Sequence, residues 1–244
     1  MIIVSGDWHG KFEIIIQLLK EKEITDCFLI QVGDFGVGFK NKKKSIAELK
    51  LLNKFLKSKN IFLYAIRGNH DDPEYFTGKD KSLIFSNIVL VPDYSIIKIE
   101  DKTFFFLGGA ISIDRKPNPD IIDRYGRPWN GRTQGVNYWD KEFIVFNEEV
   151  LRSIVGIDVV ITHSSPAFVH PMDSSGLVKW YKHDNDLEED IHKERSLLSD
   201  VYFILKQSSN IQHWCYGHYH DSNVEDFDNT RFRLLDVYEF YELR

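Results

Sequence analysis

Sulfur is scarce in this chain of 244 residues: two cysteines and two methionines. Cys27 and Cys215 both stand inside apolar segments, so they read as reduced core thiols, and no disulfide framework is implied. Positive charge is not in excess either. The formal net charge is −6, which gives no global basic field to draw in nucleic acid, although it leaves room for a local basic rim. No apolar run approaches the roughly 20 residues needed to cross a bilayer. Met1 leads straight into Ile2-Ile3-Val4 without a charged segment ahead of an apolar one, so no signal peptide and a cytoplasmic location are expected. Proline is sparse, and five of the seven, Pro117, Pro119, Pro128, Pro166 and Pro171, fall in two stretches that lack helical or strand periodicity.

What the chain does have is apolar bulk. Eighteen Phe and eleven Tyr read as a large core and aromatic strands, and a chain of this length can bury such a core. Ile2–Ser5, Cys27–Val32 and Ile61–Ile66 read as short buried strands. Between them, Phe12, Ile15, Ile16 and Leu19 recur at helical spacing over residues 11–22, as do Ile46, Leu49, Leu52, Phe55 and Leu56 over residues 43–59. Strand and helix alternating in this way predict parallel strands with helices on the faces.

The pattern changes beyond residue 83. Ile88–Val91, Ser95–Ile99 and Thr103–Leu107 read as antiparallel strands, the last two joined by a tight turn at Glu100-Asp101. Asn147 is placed to cap a short helix, Asp158–Thr162 reads as another buried strand, and Leu187, Ile191, Leu198, Val201 and Leu205 mark a helix over residues 186–206. Ile211–Tyr216 reads as a strand, and a closing hairpin over Asp228-Asn229 is expected to run from Val224 to Tyr241. One domain over residues 1–244 is expected, with irregular insertions at about 110–140 and 164–185. Structureless segments of that length inside a compact domain are usually functional or disordered.

Chemistry-bearing residues gather where the strands end. Asp7 and His9 follow the first strand, Asp34 the second, and Asn69 and His70 the third. His163 follows the strand at 158–162, and His218-Tyr219-His220 follows the one at 211–216. In parallel sheets ligands gather beyond the carboxyl ends of the strands, so the first three groups fall on one rim. Phosphate esters resist hydrolysis because their anionic oxygens repel a nucleophile and the leaving alkoxide is poor. Two cations roughly 3.5–4 Å apart address both problems. Such a pair needs a carboxylate able to bridge, together with neutral nitrogen and oxygen donors, and Asp7, His9, Asp34, Asn69, His163, His218 and His220 supply that set. Its mixed donors suit Mn, Fe, Zn or Co better than Mg.

The five blocks in order, Gly6-Asp7-Trp8-His9-Gly10, Gly33-Asp34, Gly68-Asn69-His70-Asp71, Thr162-His163 and Gly217-His218-Tyr219-His220, resemble the calcineurin-like metallophosphoesterase superfamily over nearly the whole chain. The resemblance implies a four-layer α/β/β/α sandwich of two mixed sheets with the metal site at one edge. It implies two divalent or trivalent ions, Mn first and Fe or Zn as alternatives. One would be held by Asp7, His9, Asp34 and His220, the other by Asp34, Asn69, His163 and His218, with Asp34 the bridge. The implied activity is hydrolysis of phosphate esters by in-line attack of a metal-bridging hydroxide, with His70 contacting the phosphoryl group or protonating the leaving oxygen.

Protein phosphatases of the superfamily orient that histidine with an Asp three residues after the bridging carboxylate, followed by a phosphate-binding Arg. Here Val37 and Gly38 stand at those positions, and Asp71 or Asp72 is the candidate substitute for the Asp. The departure leans the expected substrate toward phosphodiesters, nucleotide or nucleic acid. The alternatives are phosphomonoester or phosphoprotein substrates, and a non-catalytic scaffold on the same fold. Arg115, Arg124, Arg127 and Arg132 in the first irregular stretch are the candidates to hold substrate phosphate; local pairing with Asp114, Asp120 and Asp123 is the competing expectation. Trp129, Trp139 and Trp180 are expected to anchor the loops rather than stack a base.

Overall fold

The computed structural model describes residues 1–123 and 125–244. The first half lays down β1 (Ile2–Ser5), α1 (Phe12–Glu21), β2 (Cys27–Gln31), α2 (Lys42–Ser58), β3 (Ile61–Ala65) and β4 (Ile88–Leu90), followed by β5 (Ser95–Ile99) and β6 (Lys102–Leu107). After a two-stranded hairpin, β7 (Pro117–Ile122) with β8 (Pro128–Asn130), come α3 (Glu148–Ser153), β9 (Val159–Thr162), α4 (Val178–Tyr181) and α5 (Leu187–Lys206). The chain then forms β10 (His213–Tyr216), β11 (Asn223–Phe227), β12 (Thr230–Leu234) and β13 (Phe240–Leu243).

Two mixed sheets result. The first has the order β13-β1-β2-β3-β4 and the second β11-β12-β10-β9-β6-β5. Strands β1 to β4 run parallel, with β13 antiparallel at one edge. In the second sheet β12, β10, β9 and β6 run parallel, with β11 and β5 antiparallel at the edges.

Strand alternation sorts the core into three layers. Ile2, Val4 and Ile30 from the first sheet face Phe104, Phe106, Val159, Ile161 and Cys215 from the second. The opposite faces, Ile3, Leu29 and Leu63, pack on Ile15 and Leu19 of α1 and on Leu49, Leu52 and Leu56 of α2. Phe105, Val160, Trp214 and Tyr216 pack on Leu198, Val201 and Tyr202 of α5 and Leu151 of α3. Helix, sheet, sheet, helix is the predicted four-layer order. Both cysteines are buried and free. No helix among the described residues is long and apolar enough to cross a membrane.

Three expectations about strands are corrected. β4 does not join an antiparallel group. It pairs parallel with β3 and forms the edge of the first sheet, Val91 N–H donating to Ala65 O at 2.8 Å. An apolar triplet carries no information about its partner, and the partner here is set by the chain crossing back through turns capped by Asp72 and Asp80. The hairpin over Asp228-Asn229 forms, β11 against β12, but its expected second arm is two strands. β12 stops at Leu234, the chain turns through Asp236–Glu239, and β13 pairs with β1 in the other sheet. The stretch 111–138 is not devoid of structure, since it contains the β7–β8 hairpin; its prolines sit in a two-stranded sheet where ladder bonds are few.

Candidate metal and phosphate site

Every candidate ligand stands just beyond the carboxyl end of a parallel strand, and the two sheets bring those ends together. Asp7 and His9 follow β1, Asp34 follows β2, and Asn69 and His70 follow β3. From the second sheet, His163 follows β9, and His218 and His220 follow β10. The loops are knitted by backbone bonds: Trp8 and His9 N–H donate to Asp34 O at 3.0 and 2.8 Å, and Gly217 N–H donates to His163 O at 3.0 Å.

Four of the candidate ligands have strained backbone. His9, Asp34, His218 and His220 have φ of 47, 54, 72 and 50°, a left-handed conformation that costs a side-chain-bearing residue on the order of 1–2 kcal/mol. The core on either side holds them in it. Two glycines make room for the result. A Cβ at Gly68 would run into the Asp34 carboxylate and the His163 ring, and one at Gly217 into the Asp7 carboxylate.

Asp7, His9, Asp34 and His220 each offer a ligand atom, and these atoms all lie within 4.8 Å of one another. A second set adjoins them. His163 Nε2 is 3.2 Å from Asp34 Oδ1 and 3.2 Å from Asn69 Oδ1, and the His163 and His218 ring centroids are 5.0 Å apart. Asp34 faces both sets: Oδ2 looks toward His9 Nδ1 at 3.7 Å, while Oδ1 looks toward His163.

Three observations fit these residues to cations. Asp7 and Asp34 are fully buried, and among the described residues their only ion-pair partners are histidines. Uncompensated buried carboxylates are costly unless a cation is held there. His163 Nδ1–H donates to Val32 O at 2.8 Å, which points the Nε2 lone pair at the cluster. Asn69 Nδ2 donates to Ser112 Oγ at 3.0 Å, which turns its carbonyl oxygen toward the same place.

The titration behaviour follows from charge and burial. Burial pushes Asp34 up, but His163, His70 and His9 outweigh it and hold the carboxyl well below its ordinary value. Burial pushes His163 down, yet Asp34 and Asp7 lift it to about 9; the field that favours a proton there favours a cation. Burial, with His163 adding to it, holds His218 well below the usual imidazole range.

The arginines part company. Arg115 is tied to Asp184 and Asp190, both at 2.6 Å, and lines a different cavity. Arg127 pairs with Asp123 at 2.9 Å on the surface. Arg124 lies outside the described residues. Among the described residues, Arg132 alone of the candidates reaches the cluster. Both oxygens of Asp114 hold its guanidinium, and its Nη2 lies 3.1 Å from His70 Nε2. A cavity of about 380 Å³ joins Arg132 and His70 to Asp34, Asn69, His218 and His220. Trp129 anchors the hairpin that leads to Arg132, its indole N–H donating to Asp114 O at 2.8 Å.

Neither Asp71 nor Asp72 serves His70. Asp71 is buried and accepts four backbone N–H groups, from Phe35, Gly36, Val37 and Gly68, at 2.6–3.0 Å. Asp72 accepts from Glu74 N at 3.0 Å and caps the turn that follows. Sequence reasoning also passed over Ser112 and Glu142. Glu142 accepts from Ser112 N–H at 2.7 Å and Oγ–H at 2.6 Å, closing a chain that runs Glu142–Ser112–Asn69. No local motif could have found it, because the three positions are 30 and 43 residues apart.

The model of the calcineurin-like phosphoesterase family matches residues 1–222. No curated protein matches the chain. Among solved structures, a putative 5′-nucleotidase from Staphylococcus aureus is similar at 14% identity and a TM-score of 0.48, over 97% of this chain and 48% of the other. The chain therefore spans about half the length of that protein. Phosphopantetheinyl hydrolase from Mycobacterium tuberculosis is similar at 14% identity and TM-score 0.46, over 97% and 89% of the two chains. A novel archaeal phosphodiesterase is similar at 15% and 0.39, over 97% and 83%.

Proposed function

Given that the chain belongs to the calcineurin-like phosphoesterase family, we propose that it hydrolyses phosphate esters with a pair of divalent cations, and phosphodiesters in preference to monoesters. Residues 1–244 are read as one unit, because the layer between the sheets draws on both halves of the chain. The observation that carries the proposal is the placement of Asp34. Its two oxygens face two separate donor sets, His9 on one side and His163 on the other, as a carboxylate shared between two ions must. Asp7, His9 and His220 would complete one set, and Asn69, His163 and His218 the other. When bound, the ions would neutralise the phosphoryl oxygens and activate water. Mn leads the candidates for this donor set, with Fe or Zn as alternatives.

The chain's own residues do the rest. Arg132 is the guanidinium positioned to hold a phosphoryl oxygen. Guanidinium has no lone pair to accept with, so its contact with His70 requires Nε2 to accept and the proton to sit on Nδ1. His70 then meets substrate as a neutral hydrogen-bonding group. Where Arg132 turns onto a phosphoryl oxygen, His70 Nε2 is released, and its neutral Nε2–H tautomer can hydrogen-bond the leaving oxygen without giving up its proton.

The diester preference rests on charge. Arg132 is already neutralised by both oxygens of Asp114, so it offers less to the second negative charge of a monoester. A monoesterase reading draws support from the same guanidinium, which stands beside His70 although Val37 and Gly38 occupy the positions where protein phosphatases place their Asp and Arg. Hydrolysis of bis(p-nitrophenyl) phosphate and p-nitrophenyl phosphate with Mn decides between them. Cation-dependent activity, faster on the diester and lost together with ion binding in Asp34→Asn, is the expected result. Inactivity toward both esters with Mn, Fe, Zn and Co would overturn the proposal.

A further inference from the structure

His70 has few bonds to hold its ring. Among the described residues the imidazole makes one hydrogen bond, between Nε2 and Arg132 Nη2 at 3.1 Å. Its approach to Asp34 Oδ2, at 3.9 Å, is too long for another. A single bond at one nitrogen sets the tilt of the ring about its Cβ–Cγ bond only loosely. That bond is also the one given up where Arg132 turns onto a phosphoryl oxygen.

An aromatic side chain lies against the imidazole. The Phe39 ring stacks on His70 with centroids 6.0 Å apart and planes at 27°, inside the range in which offset aromatic pairs attract. Phe39 also meets Trp139 edge to face, at 5.2 Å and 86°, and Trp139 is itself buried. His9 approaches His70 edge-on, at 5.4 Å and 78°. Phe39 is 38% exposed. A lone apolar residue at a surface is ordinary; this one stands out because of the ring it covers.

The chain is built to put Phe39 there. Val37 is buried, and its carbonyl accepts from Asp72 N–H at 2.9 Å. Gly38 has a φ of +105°, and a Cβ there would run into Asp72 Cβ and crowd Trp139. Glycine is the residue that can pass between those two side chains. Beyond Phe39, Lys40 pairs with Glu48 at 2.8 Å, and Asn41 caps α2 by accepting from Lys44 N–H at 3.0 Å. Phe39 therefore stands between two anchored segments of the loop.

We infer that Phe39 is a positioning residue for His70: its ring holds the imidazole plane, so that Nε2 stays aimed at the leaving oxygen once Arg132 has moved to the phosphate. The inference rests on the phosphoesterase reading above and adds to it a residue that acts through His70 rather than on substrate. Stacking suits this use. A carboxylate partner would occupy one nitrogen and strengthen its hold on a proton, whereas a phenyl face fixes the plane and leaves both nitrogens free for hydrogen bonds.

Two diesters of equal charge separate this role from loop packing. Bis(p-nitrophenyl) phosphate expels a stable phenolate and needs little help at the leaving oxygen; diphenyl phosphate expels a poorer one and needs more. With Mn, Phe39→Ala should lower kcat for diphenyl phosphate about three- to tenfold, change it less than about twofold for the nitrophenyl ester, and leave KM for both in place. Phe39→Tyr, which keeps the ring, should restore the rate. In a His70→Ala background Phe39→Ala should have no further effect, as for two residues acting through one interaction. Phe39→Leu keeps an apolar contact on Trp139 without an aromatic plane, and covers the case in which the alanine variant disturbs the loop. The ring current gives a readout free of turnover: in cation-free protein the His70 ring-proton resonances should move downfield in Phe39→Leu. Unmoved resonances, or equal slowing of both esters with and without His70, would overturn the inference and leave the phosphoesterase reading intact. Inactivity of the unaltered protein toward both esters with Mn, Fe, Zn and Co would overturn that reading, and with it the role given to the stack.

Discussion

Arg132 Nη2 lies 3.1 Å from His70 Nε2, so the histidine that follows Asn69 is oriented by a guanidinium rather than by a carboxylate. Burial pushes His70 down, and although Asp34 opposes it, Arg132 adds to the depression and the imidazole falls to about 4. The ring is consequently neutral throughout the range above that value. Burial, Arg132 and His9 all push it down; replacing Arg132 by Met removes one of these three, so the His70 pKa should rise toward its ordinary 6.5. Histidine resonances followed by NMR in cation-free protein measure this directly. A His70 titration that stays near 4 in Arg132→Met would show that the guanidinium does not govern it. The same variant loses a charge-assisted contact to substrate, and kcat/KM should fall about 10- to 100-fold.

Asn69 can present its carbonyl oxygen to a cation only while its amide nitrogen is held elsewhere, and Ser112 Oγ holds it at 3.0 Å. Ser112 in turn is fixed by both oxygens of Glu142, whose segment is pinned by Arg67 donating to the carbonyls of Lys141, Glu142 and Phe143. Ser112→Ala should leave the fold intact and weaken binding of one of two ions by about 10- to 100-fold, the usual cost of losing a supporting hydrogen bond to a ligand. Calorimetric titration with Mn checks it. Two unchanged binding events would remove Ser112 from the site. Glu142→Gln should have the same sense, since an NH2 group replaces one of the two oxygens that accept from Ser112 N–H and Oγ–H.

The contrast between Asn69 and Ser112 also marks what a sequence can disclose. Asp7, His9, Asp34, Asn69, His163, His218 and His220 were legible because each follows an apolar run, most beside a glycine that permits a sharp turn. Strand direction then dictates where such residues meet. Layer order was legible for a related reason: alternation in β1, β6 and β9 assigns each side chain to one face. Partnership was not. Nothing in Ile88-Val89-Leu90 says that it joins β3, nor in Phe240–Leu243 that it pairs with β1, because strand pairing over long separations is decided by the whole core. The left-handed backbone at His9, Asp34, His218 and His220 was equally hidden, since glycine is the only residue that announces it. Trp180 stands among the tryptophans the sequence offers as loop anchors, and only the fold shows that it lines the cavity of the cluster.

Asp71 is adjacent to His70 in the chain, yet its position in the fold makes a different prediction. The carboxylate gathers the N–H groups of Phe35, Gly36, Val37 and Gly68, fastening the loop after β2 to the loop after β3. Burial first, and then the charge of Asp34, push its pKa up to about 7, while the N–H donors pull the other way. Asp71→Ala strands four buried donors, each costing about 1–3 kcal/mol when unsatisfied, and part of that is recovered by water entering the loop. A loss of at least about 3 kcal/mol in urea unfolding is expected. Asp71→Asn should also destabilise, because one of its two positions presents N–H to N–H. A loss below about 1 kcal/mol for Asp71→Ala would mean that the two loops are held by the core alone.

The pairing of Arg132 with Asp114 gives the sharpest test of the substrate-charge argument. Asp114 accepts through both oxygens, and it lines the same cavity as His70 and Asp34. Asp114→Asn retains one acceptor and removes one negative charge from the place where phosphate must enter. A monoester carries two negative charges near neutral pH and a diester one, so the monoester gains more from the change. In a half-open cavity one charge is worth roughly 1 kcal/mol, which shifts the ratio of monoester to diester kcat/KM upward by about fivefold. The shift should shrink as ionic strength rises, because exposed charge is screened over roughly 10 Å at 0.1 M salt. Steady-state assays of p-nitrophenyl phosphate against bis(p-nitrophenyl) phosphate at two salt concentrations measure both effects. If the ratio does not move in Asp114→Asn, the preference between the two esters is set by shape, and the neutralised guanidinium has no part in it.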